Sequence, residues 1–324
     1  MDKLQINHIQ CDASVFLKMA KHCHEESQTS LDLPQGAILG MLDGTRLEIT
    51  HCFPYPNNMT ESSDDEEYQW AMMRRLRVVN VDMFHVGWYQ SASNTKFLTE
   101  TLLESQFNYQ TCISESVVIV YDSDRSIRGV MPLKAYRLSE QAIKMYKEGA
   151  QTFKALQELG VGFEKLVVEI PIHIKSSSLT NILLLDMYET LPQEKGSQYL
   201  DLGTVGVLEK QIRGMMSRTD DLIQETVKFN RYQYSCVRQE HEKQRQLNYL
   251  SLENSARVAQ GQKALSGDDI KNQFREISPP PRRISLILSE QINFISKEIN
   301  QICSQSIAKL ILTEPLQTSK EEKK

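Results

Sequence analysis

The stretch His85-Val86-Gly87-Trp88-Tyr89-Gln90-Ser91-Ala92 decides how the chain folds. Val81–Tyr89 is rich in β-branched and aromatic residues, and His85 alternates with Phe84, which is strand patterning. Upstream lie two further β-rich runs, Gly36–Leu42 and Leu47–Phe53, with Asp43-Gly44 between them as a strong hairpin signal. Pro54 and Pro56 end the second run. Downstream, Phe97–Gln106 has helical composition, and Val117–Tyr121 and Gly129–Tyr136 read as strands around a turn at Asp122–Ser126. Asp12 suits the cap of a helix toward Ser27, on which Val15, Met19 and Cys23 make one apolar stripe. Tyr68–Asn80 reads as another helix, with Met72, Met73 and Leu76 on one side. Such alternation predicts an α/β or α+β domain ending near Leu138.

Further along, residues 139–204 read as an extension of that domain. Helical periodicity over 139–165 breaks at Gly160–Gly162, Leu166–Ile174 is a strand stopped partway by Pro171, and Asn181–Thr190 is helical. From Val205 the chain turns to long helices. Over 205–260, Leu208, Met215, Leu222, Phe229 and Cys236 recur every seven residues. Residues 261–283 carry Ser278-Pro279-Pro280-Pro281-Arg282-Arg283 and read as a linker, because consecutive prolines cannot continue a helix. Over 284–318, Leu288, Ile292, Ile295, Ile299 and Ile302 repeat with 4-3-4-3 spacing, the cleanest seam in the chain. Residues 319–324 form a charged tail. Both stripes are expected to meet partner helices, the alternative being that they pack on each other as an antiparallel hairpin. Asn57–Glu67 reads as a polar acidic loop in which Ser62 and Ser63 precede four acids.

Composition excludes several classes. With 324 residues, 40% hydrophobic and 24% charged, the chain is of ordinary globular make-up, neither disordered nor a disulfide miniprotein. The longest apolar runs are far short of the roughly 20 residues that span a bilayer. Met1-Asp2-Lys3-Leu4 opens no secretory signal, which places the chain in the cytosol by default. The six cysteines, scattered with no C-x-x-C pair, read as reduced thiols. Residues 1–204 hold 18 Lys+Arg against 27 Asp+Glu, and 205–324 hold 19 against 15. The first part is therefore a poor phosphate-gripping surface. The second permits direct RNA contact through Arg231, Tyr232, Tyr234, Arg238, Lys243 and Arg245, although a solvated helix face is the simpler reading.

The Val86–Ala92 segment resembles the centre of the MPN domain family. In its catalytic members, the JAMM isopeptidases, this strand end reads G-W-Y-H-S-H-P. Two histidines and an aspartate of a following S-x-x-D element bind zinc, and a glutamate from an earlier hairpin acts on the zinc-bound water. The resemblance implies an α/β fold: an MPN (JAMM-like) domain with a mixed β-sheet flanked by helices, followed by a long-helix C-terminal region. It also implies a degenerate site. Gln90 and Ala92 stand at the two histidine positions, Ser93 at the proline, Leu103 at the aspartate and Ala37 at the glutamate. A small gap would shift Glu100 or Glu104 onto the aspartate position, but one acid does not replace two imidazoles and a base. No catalytic residue, metal or cofactor is expected. A zinc-dependent JAMM isopeptidase is the disfavoured alternative. The remaining histidines read as structural: His22 and His24 near a helix end, and His85 and His173 in strands.

Over its full length the chain resembles one family of MPN proteins, the h-type components of eukaryotic translation initiation factor 3. The segments that carry this are Lys21–Ser27, Met73–Asp82, His85–Ser91, Leu102–Thr111, Leu133–Gly149 and Cys303–Gln317. This resemblance implies a non-catalytic scaffold that supports assembly of the factor, small-ribosomal-subunit binding and mRNA recruitment. The implied partners are the other subunits of the factor. Foremost is its MPN-containing f component, met through the MPN domain. Helical-bundle subunits are met through the C-terminal helices, and the small ribosomal subunit through the complex. No membrane is implied.

Overall fold

The computed structural model describes residues 6–29, 33–56, 62–81, 84–92, 97–149, 152–190, 205–259 and 277–321. Among the described residues, eight strands form one sheet: β1 (His8–Asp12), β2 (Gln35–Asp43), β3 (Arg46–Pro54), β4 (Phe84–Ala92), β5 (Val117–Asp122), β6 (Leu133–Leu138), β7 (Val167–Ile170) and β8 (Ile172–Lys175). Their order is β7-β6-β5-β4-β2-β3-β1-β8. The β4–β5, β1–β3 and β1–β8 pairs are parallel and the others antiparallel, so the sheet is mixed.

The expected β2–β3 hairpin turns at Gly44, which has φ +60° as the tight turn requires. The expected strand at Leu166–Ile174 is in fact two strands on opposite edges of the sheet. β7 pairs with β6 and β8 with β1, yet only Pro171 separates them. The two edges must therefore meet, and the sheet curls back on itself. Proline suits this corner because it has no N–H to leave unpaired, while its carbonyl accepts from Ile9 N at 2.9 Å.

Two cores lie on the two faces of the sheet. On one, α1 (Ala13–Thr29) covers Ile9, Cys11, Ile38, Leu47, Ile49 and Ile119 with Val15, Met19 and Cys23. On the other, α3 (Glu100–Cys112) and α5 (Glu140–Glu148) pack on Trp88, Ala92, Val118, Val120 and Tyr136. Here α2 (Ser62–Val78) covers Ala37, Leu39 and Phe53. This helix starts at Ser62, inside the expected acidic loop, of which residues 57–61 lie outside the described part. Polar, acidic composition does not exclude a helix, since Glu is among the good helix formers, which the loop reading overlooks. The turn expected at Asp122–Ser126 is the short helix α4 (Ser123–Ile127), capped by Asp122. Next come α6 (Phe153–Glu158), a 3-10 turn at Phe163–Lys165 and α7 (Ser178–Thr190).

Two long helices follow, α8 (Val205–Ala259) and α9 (Arg283–Glu321). They pack as an antiparallel hairpin. The Arg282 guanidinium, just before α9, lies 4.3 Å from the Phe229 ring on α8, while Lys210 near the start of α8 and Glu298 on α9 both reach α4. Of the expected linker, residues 261–276 lie outside the described part, and 277–282 carry neither helix nor strand. No described helix is long and apolar enough to cross a membrane.

Candidate functional site

β4 brings the degenerate positions together. Side chains two apart share a face of a strand, so Trp88, Gln90 and Ala92 point the same way. Ala37 pairs with Trp88, Val120 with Gln90, and Asp122 with Ala92. Leu103 descends from α3 into the same core as Ala92. All four positions are buried: Ala37 and Leu103 fully, Ala92 to 3% exposure and Gln90 to 4%. Glu104, one of the two acids considered as a replacement ligand, is exposed on the outer side of α3, and Glu100 is half-buried.

Glutamines from α3 take over the ordering of this face. The Trp88 indole N–H donates to Gln106 Oε1 at 2.9 Å, and Gln106 Nε2 donates to Ser116 O at 3.2 Å and to Gln110 Oε1 at 3.3 Å. Leu138 N donates to Gln110 Oε1 at 2.8 Å, which ties α3 to β6. This network of neutral amides joins strand to helix and provides neither a base nor a charged ligand. Zinc takes thiolate, imidazole or carboxylate. The four degenerate positions offer one amide and three hydrocarbon side chains, so they do not fit the ion. Among the described residues, no three His, Cys, Asp or Glu side chains are grouped so as to hold a metal.

The C-terminal helix closes the end of this face. A cavity of about 20 Å³ is bounded by Ala92, Phe97, Asp122 and Arg125, and by Phe294 and Glu298 of α9. That volume holds roughly one water. The Phe294 ring lies 5.4 Å from Phe97 and 5.5 Å from Tyr136. Asp122 Oδ1 accepts from Asp124 N at 3.0 Å and Arg125 N at 3.4 Å, which sets α4 at the rim. Burial, reinforced by nearby Asp124, raises the Asp122 carboxyl above its ordinary range. From α4, Arg125 Nη1 donates to Glu298 Oε2 at 2.5 Å and Arg128 Nη2 to Glu298 Oε1 at 2.7 Å.

The other titratable groups are structural. His22 Nδ1 stands 2.9 Å from the Tyr89 hydroxyl, and His24 is exposed, so the two do not converge. His85 packs edge-on to Tyr109, with its Nε2 buried and unpaired, where strand patterning predicts a satisfied histidine. His173 meets His8 at 5.9 Å. Burial pushes Cys11 and Cys23 up to about 12 and Cys52 up to about 11, so these thiols stay protonated and unreactive at neutral pH.

The predicted helical seams fall largely within the chain. Leu288, Ile295 and Ile302 are buried, and Ile292 and Ile299 are half-buried. Leu208, Met215, Leu222 and Phe229 are half-buried along α8. Of the basic and aromatic stretch, Arg231, Tyr234, Arg238 and Arg245 are exposed on the half of α8 beyond the start of α9. Sequence reasoning places a helix at α7 but misses its role, because its composition matches a core helix. No residue of α7 is buried, and Leu179, Ile182, Leu183, Leu185 and Tyr188 are each at least half exposed.

Comparison with known proteins agrees with this geometry. Residues 4–115 match the family described as JAB1/Mov34/MPN/PAD-1 ubiquitin protease, and residues 126–322 match the family described as the C-terminal region of eIF3h. Similar proteins include the H subunit of eukaryotic translation initiation factor 3 from Culex quinquefasciatus, 54% identical over 98% of this chain and 95% of the relative. The proteins of the same name from Aedes aegypti (52% identical, 98% and 95% covered) and Bombyx mori (51%, 98% and 94%) are also similar. With an MPN-type sheet matched over residues 4–115, a C-terminal region matched over 126–322 and relatives of one name at 51–54% identity over 98% of its length, this chain belongs to the H-subunit family of eukaryotic translation initiation factor 3.

Proposed function

We propose that the chain is a non-catalytic scaffold within translation initiation factor 3, acting through its surfaces. One observation carries the reading: α7 is an apolar helix with no residue buried in its own chain. Burying apolar surface is worth about 25 cal/mol per Å², and contiguous patches of this kind mark interaction sites. A second MPN domain, that of the factor's f component, is the occupant this reading assigns to α7. The long helices extend the interface. Beyond the hairpin, Tyr234, Val237, Tyr249 and Leu252 of α8 and Ile307, Leu310, Ile311 and Leu312 of α9 are exposed, and helix-bundle subunits would cover them. Within the hairpin, the solvent side of the α8 seam adds Met216 and Ile223. Binding to the small ribosomal subunit and mRNA recruitment would then belong to the assembled factor.

Leu183→Asp in the full chain tests this. The side chain is 50% exposed, so stability should move by no more than about 0.5 kcal/mol. Co-purification with the MPN-containing partner should drop sharply, about a hundredfold in affinity if Leu183 lies at the centre of the interface. Undiminished co-purification would count against the assignment.

A further inference from the structure

The contact between α9 and the sheet differs chemically from the rest of the core. Among the described residues, five of the twelve buried polar ones, Gln211, Ser285, Glu290, Gln291 and Glu298, belong to the α8–α9 hairpin, and a sixth, Arg125, bonds to it. None comes from β1, β2 or β3. Polar burial of that density is a property of interfaces between separable parts, whereas a core that never opens gains more from hydrocarbon.

One carboxylate organises the contact. Glu298, 4% exposed, is gripped by Arg125 and Arg128, which are 7% and 12% exposed. Arg125 Nη1 also donates to Gln301 Oε1 at 3.3 Å, one turn of α9 further on. Both arginines are held from behind: Arg125 Nε donates to Met131 O at 3.1 Å, and Arg128 Nε to Asp124 O at 3.2 Å. Two turns before Glu298, Gln291 Nε2 donates to Leu98 O, while Gln291 Oε1 is buried with no partner. The cluster thus spans more than two turns of α9 and fixes both its register and its rotation. In that register Phe294 covers the cavity beside Ala92, and Leu288, Ile295 and Ile302 face inward.

We infer that α9 is a latched element. The Arg125–Glu298–Arg128 cluster docks it across the cavity beside Ala92, withholding the Leu288–Ile302 stripe until α9 is released to a partner helix. This rests on the scaffold reading for the partner's nature, but the latch itself is a property of the free chain. Three prolines, Pro279, Pro280 and Pro281, precede α9 without helical structure, so α9 can leave without unwinding α8.

The test is hydrogen exchange on the full chain, with Glu298→Gln as the main variant and Arg128→Gln as a milder one at the rim. Glu298→Gln leaves the buried Arg125 guanidinium and that of Arg128 at the rim without their counter-charge. The latch predicts that amide exchange in Arg283–Ile302 and α4 speeds up about tenfold or more, while α1 and β1–β3 keep wild-type protection. Arg128→Gln should act on the same segments to a smaller degree. Unchanged exchange in Arg283–Ile302 for both variants would overturn the latch. So would acceleration spread evenly over the whole chain, since α9 would then be inseparable core. No partner takes part in this measurement, so its failure tells against the latch alone and leaves the scaffold role to the α7 experiment.

Discussion

Gly87, in the segment that identifies the fold, owes its identity to geometry. It has φ +155°, and a Cβ there would lie 2.0 Å from the Val117 carbonyl oxygen. β4 and β5 can pair in parallel at this point because no side chain intervenes. Gly87→Ala should destabilise the chain by about 3 kcal/mol, read as a lowered urea midpoint, since it adds a backbone clash to a strained φ. A midpoint equal to wild type would mean that the strands separate at no cost. The glycine matters for fold, while chemistry would depend on the positions after it. That Gln90 and Ala92 offer an amide and a methyl group, and no imidazole, is legible in the sequence, because it is a matter of residue type. That Gln106 and Gln110 pin this face is not, because their bonds to Trp88, Ser116 and Leu138 form only once α3 has packed.

For individual elements, periodicity reports that a face is apolar and says nothing of what covers it. The stripe Leu288–Ile302 is legible residue by residue, yet its cover lies within the same chain, while the α9 residues that join the sheet core, Ile287 and Phe294, fall outside the repeat. Conversely, α7 gives no sign in sequence of being uncovered, since a helix apolar on most sides looks alike in a core or in an interface. β7 and β8 read as a single strand because strand patterning carries no record of which edge each half joins. The placement of α9 gives a direct contrast. Ile295 is 2% exposed and Ile311, on the same helix beyond the hairpin, is 62% exposed. Ile295→Asp should cost about 4 kcal/mol or more in chemical denaturation, by loss of apolar burial and introduction of an unpaired charge. Ile311→Asp should change stability by less than about 0.5 kcal/mol. Equal effects would mean that α9 is not docked in solution.

At the scale of the whole molecule, three histidines from separate elements act in one direction. His22 on α1, His51 on β3 and His85 on β4 all have their pKa lowered from 6.5, with desolvation by burial as the largest cause. An unfolded chain takes up protons at these sites near pH 6.5, whereas the folded chain does so only at lower pH. Between those values unfolding binds protons, so stability is full above pH 6.5 and falls as the pH drops through the window. Asp122 and Glu290 act in the opposite sense: burial raises both, so acidification down toward their unfolded values of 3.8 and 4.5 relieves the cost of holding them charged. His85 is the most informative to replace, because its Nε2 is buried without a partner and its ring already packs against Tyr109. His85→Phe keeps the aromatic contact and removes the titrating group. The wild-type thermal midpoint should fall by a few degrees between pH 7.5 and pH 5.5, and the variant should lose less, with His22 and His51 supplying what remains. An identical fall in both chains would show that burial of His85 does not hold it neutral, and the acid sensitivity would then have to come from the other two elements.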